Sequence, residues 1–191
     1  MKNKGLIALI AIGIIVLMLV GSFFGAYNNL QALDESVNSS WAQVENQLQR
    51  RNDLIPNLVN TVKGYASHEK QIFVSVAEAR AKLSGAVQKG NVAEVNKANS
   101  EFTGALSRLL VVVENYPQLK ADKNFIALQD EIAGTENRLA VARMDYNNNV
   151  KQINTATRVL PTSIIAALTG VKQREYFQIE ETAKNVPTVK F

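Results

Sequence analysis

The feature that most constrains this chain is its first segment. Residues 5–27 form an almost unbroken apolar run that contains Ser22 and no charge, with Lys2 and Lys4 just before it. At 1.5 Å per residue, about 23 residues make a helix of roughly 35 Å, enough to cross a hydrocarbon core of about 30 Å with some tilt. A cleaved leader has a shorter apolar core, about 7–15 residues, ending in a small-x-small site. Here Phe23 and Phe24 interrupt the best candidate sites, and no cysteine exists to take a lipid. An uncleaved anchor over 5–27, after a short tail at 1–4, is the expectation. Lys2 and Lys4 precede the span, whereas Asp34, Glu35 and Glu45 follow it with no cation until Arg50. The excess of Lys and Arg before the span places the N-terminus in the cytoplasm and the following domain outside.

From residue 28 on, the chain is rich in Ala, Val, Leu, Asn, Gln, Lys and Glu and poor in Pro. That composition favours helices over sheet. The net charge of +4 is interleaved along the chain, and no block of Lys or Arg resembles a nucleic-acid footprint. The expected partners are membrane lipid, further copies of the chain and other membrane proteins, with no nucleic acid.

Steps of three and four expose four heptad seams, the period of helices packed in a bundle. The first reads Leu30, Asp34, Val37, Trp41, Val44, Leu48, Arg51, Ile55, Leu58, Val62, Tyr65. No strong breaker separates it from the apolar run, so one continuous rod is expected, with Pro56 removing one backbone hydrogen bond inside it. A second helix is expected from Ser67 as N-cap to Gly90, with Ile72, Val76, Ala79, Leu83 and Ala86 or Val87 inward. A third carries Val92, Val95, Asn99, Phe102, Leu106, Leu109 and Val113 and stops at Tyr116-Pro117. The fourth starts near Asp122, runs through Phe125, Leu128, Ile132, Thr135, Leu139, Ala142, Tyr146, Asn149, Ile153, Ala156 and Leu160, and closes at Pro161.

The fold class is therefore all-α: a transmembrane helix, then an up-down antiparallel bundle over 28–160 with long first and fourth helices and shorter second and third. Residues 161–191 supply a short apolar helix and a tail, whose end near Pro187 is expected to lack order. Because the middle helices are shorter, the end of the fourth helix should return to the bilayer surface. The apolar residues Ile164, Ile165 and Leu168 follow just there and are expected to touch membrane or a neighbouring copy. Gly13, Gly21 and Gly25 offer a small-residue face for helix association in the bilayer.

Catalysis is hard to build from these residues. The single histidine, His68, cannot assemble a zinc site, and no Glu-x-x-His pair is present for a di-iron centre. Gly-x-Ser-x-Gly, phosphate-loop and dinucleotide signatures are absent, so no cofactor and no enzymatic activity are expected. The densest polar cluster is Arg50, Arg51, Asp53, Pro56 and Asn57, with Glu101 and Glu136 as expected partners. Asp34, Arg51, Asn99, Thr135 and Asn149 interrupt the seams, either to face water or a partner and fix register, or to line a polar groove.

The stretch Trp41-Ala42-Gln43-Val44-Glu45-Asn46-Gln47-Leu48-Gln49-Arg50-Arg51-Asn52-Asp53-Leu54-Ile55-Pro56-Asn57-Leu58-Val59 resembles the hallmark segment of the LemA family. Gly64-Tyr65-Ala66, His68-Glu69, the run 114–121, Thr135-Glu136-Asn137, Arg143 and Tyr146-Asn147 resemble it too. The chain departs towards its end, with Ile153-Asn154 in place of a second Tyr-Asn, Leu160-Pro161 in place of Phe-Pro, and Glu175 in place of a proline. The resemblance implies a membrane-anchored antiparallel bundle with no established catalytic activity, and a magnetosome-associated branch implicated in membrane organisation. Three readings follow: a self-associating organiser of membrane or partner proteins, a sensor in which Arg51 holds an anion, and an accessory subunit of a membrane protease or transporter.

Overall fold

The computed structural model describes residues 2–178, with side chains from Gly5 onward, and Pro187 lies outside the described residues. Among the described residues there are six helices and no strand: α1 (Lys2–Tyr65), α2 (Lys70–Lys89), α3 (Val92–Val113), α4 (Pro117–Lys120), α5 (Lys123–Ala156) and α6 (Thr162–Thr169). α1 runs unbroken from the apolar segment through Pro56, as its seam predicts. It is the one helix among the described residues long and apolar enough to cross a membrane.

Helix boundaries follow local chemistry. α2 begins at Lys70, not at Ser67, because the Ala66 N–H still donates to Val62 O (2.9 Å) and prolongs α1 bonding. Ser67 and His68 are left as an exposed turn, and Glu69 precedes α2 without a side-chain cap. Gly90 closes α2 in the left-handed region (φ 66°), where a residue with a Cβ is strained. The Asn91 side chain then accepts from Glu94 N–H and caps α3. Pro117 opens the single turn α4, and Asp122 Oδ1 accepts from the N–H groups of Asn124 (2.8 Å) and Phe125 (3.0 Å) to cap α5. α5 stops at Ala156, four residues short of the expected end. Pro161 has no N–H to offer the Thr157 carbonyl and disfavours the helical conformation at Leu160, and residues 157–161 turn instead. Leu160 consequently leaves the seam and is exposed.

The described residues divide into two compact units, 2–40 with 148–174, and 41–147 with 175–178. In the second unit the helices alternate in direction. Arg50 reaches Glu131 and Tyr65 reaches Asp122, so α1 and α5 run antiparallel. Lys63 lies over the Phe73 ring while Arg80 reaches back to Asn52, so α2 opposes α1. Lys82–Glu101 and Lys89–Glu94 set α3 against α2. Val44, Leu48, Ile55, Leu58, Val62, Phe73, Val76, Leu83, Val95, Phe102, Leu109, Leu119, Phe125 and Leu139 form its core.

In the first unit, Leu30 and Val37 of α1 are buried, as are Val150 and Ile153 of α5 and Ile165 and Ala166 of α6. Asn149 Nδ2 donates to Ser36 O (3.2 Å), and Arg174 Nη2 donates to Asp34 Oδ1 (2.7 Å).

Candidate functional site

Pro56 shapes the polar cluster on α1. Lacking an N–H, it leaves the Asn52 carbonyl, four residues earlier, without its helical donor. Arg80 of α2 supplies one, its Nε donating to Asn52 O at 3.1 Å. The arginine is absent from the sequence expectations, yet the proline itself announces that some donor must arrive there. Replacing Arg80 with Met should cost about 1–3 kcal/mol, the penalty of an unsatisfied buried carbonyl. In a Pro56→Ala background the cost should shrink, because the alanine restores the helical N–H. A double-mutant cycle by urea unfolding measures that coupling, and strict additivity would show that Arg80 acts elsewhere.

Arg50 and Arg51 are adjacent and therefore point apart. Arg50 is exposed and donates from Nε and Nη2 to Glu131 Oε1 (3.0 and 2.8 Å). Arg138 donates to the same oxygen at 3.0 Å. These bonds, led by that from Arg50, hold the Glu131 carboxyl below its ordinary value. Asp53 and Asn57 are exposed, and the Asn57 carbonyl accepts from Thr61 Oγ1 (2.9 Å).

Arg51 points inward, and only 4% of its side chain is exposed. Nη1 donates to Thr103 Oγ1 (3.2 Å) and more weakly to Asn99 Oδ1 (3.4 Å), and the guanidinium lies 5.3 Å from the Phe102 ring centre. Nη1 also approaches Glu136 Oε2 at 2.8 Å, an ionic contact without hydrogen-bond alignment, since that oxygen has no aligned donor. Glu136 Oε1 faces Arg143 Nη1 at 3.9 Å. Glu136 thus serves two arginines, while Glu101, the other expected partner, is taken by Lys82. Burial lowers the pKa of Arg51, and Glu136 partly offsets it. Burial likewise lowers that of Arg143, with Glu136 opposing the shift and the Arg51 charge adding to it. Arg51 Nε and Arg143 Nε and Nη2 are buried without a hydrogen-bond acceptor. The cluster therefore carries two cations and one carboxylate in a poorly solvated place.

The other polar seam residues find partners within the chain, while Asp34 and Asn149 also keep part of their surface in water. Asp34 pairs with Arg174, Asn149 donates to Ser36, Thr135 Oγ1 donates to Ile132 O, and Asn99 accepts from Arg51.

Residues 171–178, after α6, form neither helix nor strand, and sequence periodicity gives no sign of their docking. In the second unit, Asn147 Nδ2 donates to Phe177 O (2.9 Å) while its Oδ1 accepts from Phe177 N–H (2.8 Å). Tyr146 Oη donates to Glu175 O (2.9 Å). The Phe177 ring is buried, with Trp41 at 6.3 Å between ring centres and the Arg143 guanidinium 4.7 Å above its face. In the first unit Asn154 holds Arg174 in the same two-bond manner. An asparagine amide that matches both polar groups of a peptide unit grips the backbone regardless of side chain. Tyr146-Asn147 was the available sign.

The expected membrane contacts separate into two kinds. Gly13, Gly21 and Gly25 are exposed along the apolar part of α1, with open space where a Cβ would stand. On α6, Ile164 and Leu168 are exposed, whereas Ile165 is turned into the first unit.

Comparison with known proteins finds relatives that align with most of the chain. Two magnetosome proteins, MamQ 1 and MamQ 2 of Paramagnetospirillum magneticum, are each 26% identical over 206 residues, covering 95% of this chain and 75% of the relative. MamQ of Magnetospirillum gryphiswaldense is 25% identical, covering 85% of this chain and 68% of its own length. Protein LemA of Metamycoplasma hominis is 23% identical, covering 86% and 76%. The LemA family model matches residues 40–191, and the chain belongs to the LemA family.

Proposed function

We propose that this chain is a single-pass membrane protein without catalytic activity, which presents a helical bundle on the non-cytoplasmic side, self-associates, and organises membrane or partner proteins. The observation that carries the reading is α1 itself. Its apolar side chains from Leu6 to Phe24 are exposed throughout, and the same helix enters a folded core at Leu30. A solvent-facing stripe of that length is stable in lipid and a liability in water. The open glycine positions at 13, 21 and 25 suit close approach of a second such helix, and the relatives named magnetosome proteins fit a membrane role. Native mass spectrometry from mild detergent should give multiples of the 21.0 kDa chain. Gly21→Ile with Gly25→Ile should shift the population towards monomer. A monomer at every workable concentration of the unaltered protein would refute self-association.

A second reading, an anion sensor, draws on the unpartnered nitrogens of Arg51 and Arg143. An acidic metabolite held there must raise the melting temperature of the unaltered protein and not that of an Arg51→Met variant.

A further inference from the structure

We propose that the outer edge of α6 is a second, interfacial membrane contact, which seats Leu160, Ile164 and Leu168 in an anionic lipid surface beside the point where α1 leaves the bilayer. The inference rests on the anchor reading of α1 and adds a separate lipid site to it.

Within the first unit, height along α1 is fixed by two contacts. Asn149 of α5 meets Ser36, and Arg174 meets Asp34. α5 runs opposite to α1, so seven residues beyond Asn149, at Ala156, it has descended to about residue 29. α6 follows immediately. The first half-buried side chains on α1 are Ala26 and Tyr27, directly after the fully exposed apolar run ends. The level at which this unit begins to cover α1 is thus the level at which lipid must stop covering it.

α6 is apolar on both sides. Its inward side is occupied, with Ile165 at 3% exposure and Ala166 at 3%. Its outward side is not: Ile164 is 57% exposed, Leu168 is 72% exposed, and Leu160 in the preceding turn is 71% exposed. Ile164 and Leu168 are four apart and share a face. An apolar edge next to a membrane span, flanked by cations, has the composition of an interfacial helix.

Within the first unit the charge of the stretch that carries α6 is one-sided, the next acid along the chain being Glu175 of the second unit. Residues 148–174 contain Lys151, Arg158, Lys172 and Arg174 and no carboxylate. Asp34, on α1, is paired with Arg174, which leaves Glu35, exposed on α1, as the other acid of this unit. Arg158 and Lys172, exposed before and after α6, bracket the apolar edge. Such a pattern favours phospholipid carrying net negative charge over a neutral surface. A second copy of the chain would bring the same cations against these and is disfavoured on that ground.

The chain has no cysteine, so single positions can be labelled without background. Full-length protein with Ile164→Cys or Leu168→Cys, carrying an environment-sensitive fluorophore, is reconstituted into phosphatidylcholine vesicles with or without phosphatidylglycerol. Leu9→Cys, inside the expected span, serves as the deep reference. Labels at 164 and 168 should emit blue-shifted light and lose most of their intensity to lipids with a quencher near the headgroup, whereas the Leu9→Cys label responds to a quencher deep in the acyl chains. The shallow quenching should be stronger with phosphatidylglycerol, and Arg158→Glu with Lys172→Glu should abolish that difference. Water-like emission from 164 and 168 in protein that floats with the vesicles would overturn the inference while leaving the anchor intact. Shielding that grows with protein density and resists lipid quenchers would assign the edge to another copy, and so also overturn it. Protein that fails to float would remove the anchor reading and this inference together.

Discussion

Replacing Glu136 with Gln should destabilise the second unit by about 3 kcal/mol, the lower end of the range for breaking a buried ion pair by removing one partner. The lower end applies because 41% of the Glu136 side chain remains in contact with solvent. The effect is large for one charge because Glu136 faces two cations, each already held below its ordinary pKa by burial. Without it, Arg51 and Arg143 repel across a region that offers no other carboxylate among their ion-pair partners. Urea unfolding should show a lowered midpoint at unchanged slope. Adding Arg51→Met to Glu136→Gln should recover part of the loss, since one of the two cations is then gone and only Arg143 lacks its counter-charge. A Gln variant within about 0.5 kcal/mol of the parent, the ordinary scatter of surface substitutions, would mean the pair is effectively solvated.

Phe177→Ala should cost about 3–5 kcal/mol, the range for truncating a buried aromatic side chain. Phe177 is 4% exposed and lies beneath Arg143 and beside Trp41, so its loss removes ring contact and a cation–π interaction at once. The expected signature is local. The Phe177 amide, which donates to Asn147 Oδ1, should exchange rapidly, while amides inside α2 and α3 keep their protection. Uniform loss of protection would show that the segment is integral to the second unit's core rather than docked on it.

Much of this fold is legible in the sequence because a helix repeats its instruction every three or four residues. The seam through Val44, Leu48, Ile55, Leu58 and Val62 states the inward face five times over, and each position is buried. Glu136 was legible as a partner for Arg51 on the same logic of facing seams. Features specified only once were missed or misplaced. Ser67 has the chemistry of an N-cap, but the bonding of α1 carries on to Ala66 just before it and α2 starts only at Lys70, and nothing local to Ser67 announces that. Leu160 fits the period of α5, yet Pro161 ends the helix before the period is used. Phe177 belongs to no repeat at all. Its place is set by Asn147, thirty residues earlier, through contacts with its backbone that periodicity cannot encode.

The central claim, that one continuous helix passes from lipid into the folded bundle, is tested most directly by scanning single cysteines along α1 of this cysteine-free chain. Intact membrane vesicles of both orientations are treated with a membrane-impermeant maleimide, before and after detergent. Cysteines replacing Leu6 to Phe24 should stay unreactive until detergent is added. Those at the exposed positions Asn29, Gln31 and Glu35 should react in one vesicle orientation only, the one that displays the non-cytoplasmic face. Reaction throughout 6–24 in intact vesicles, or a mature chain lacking that segment, would contradict the account.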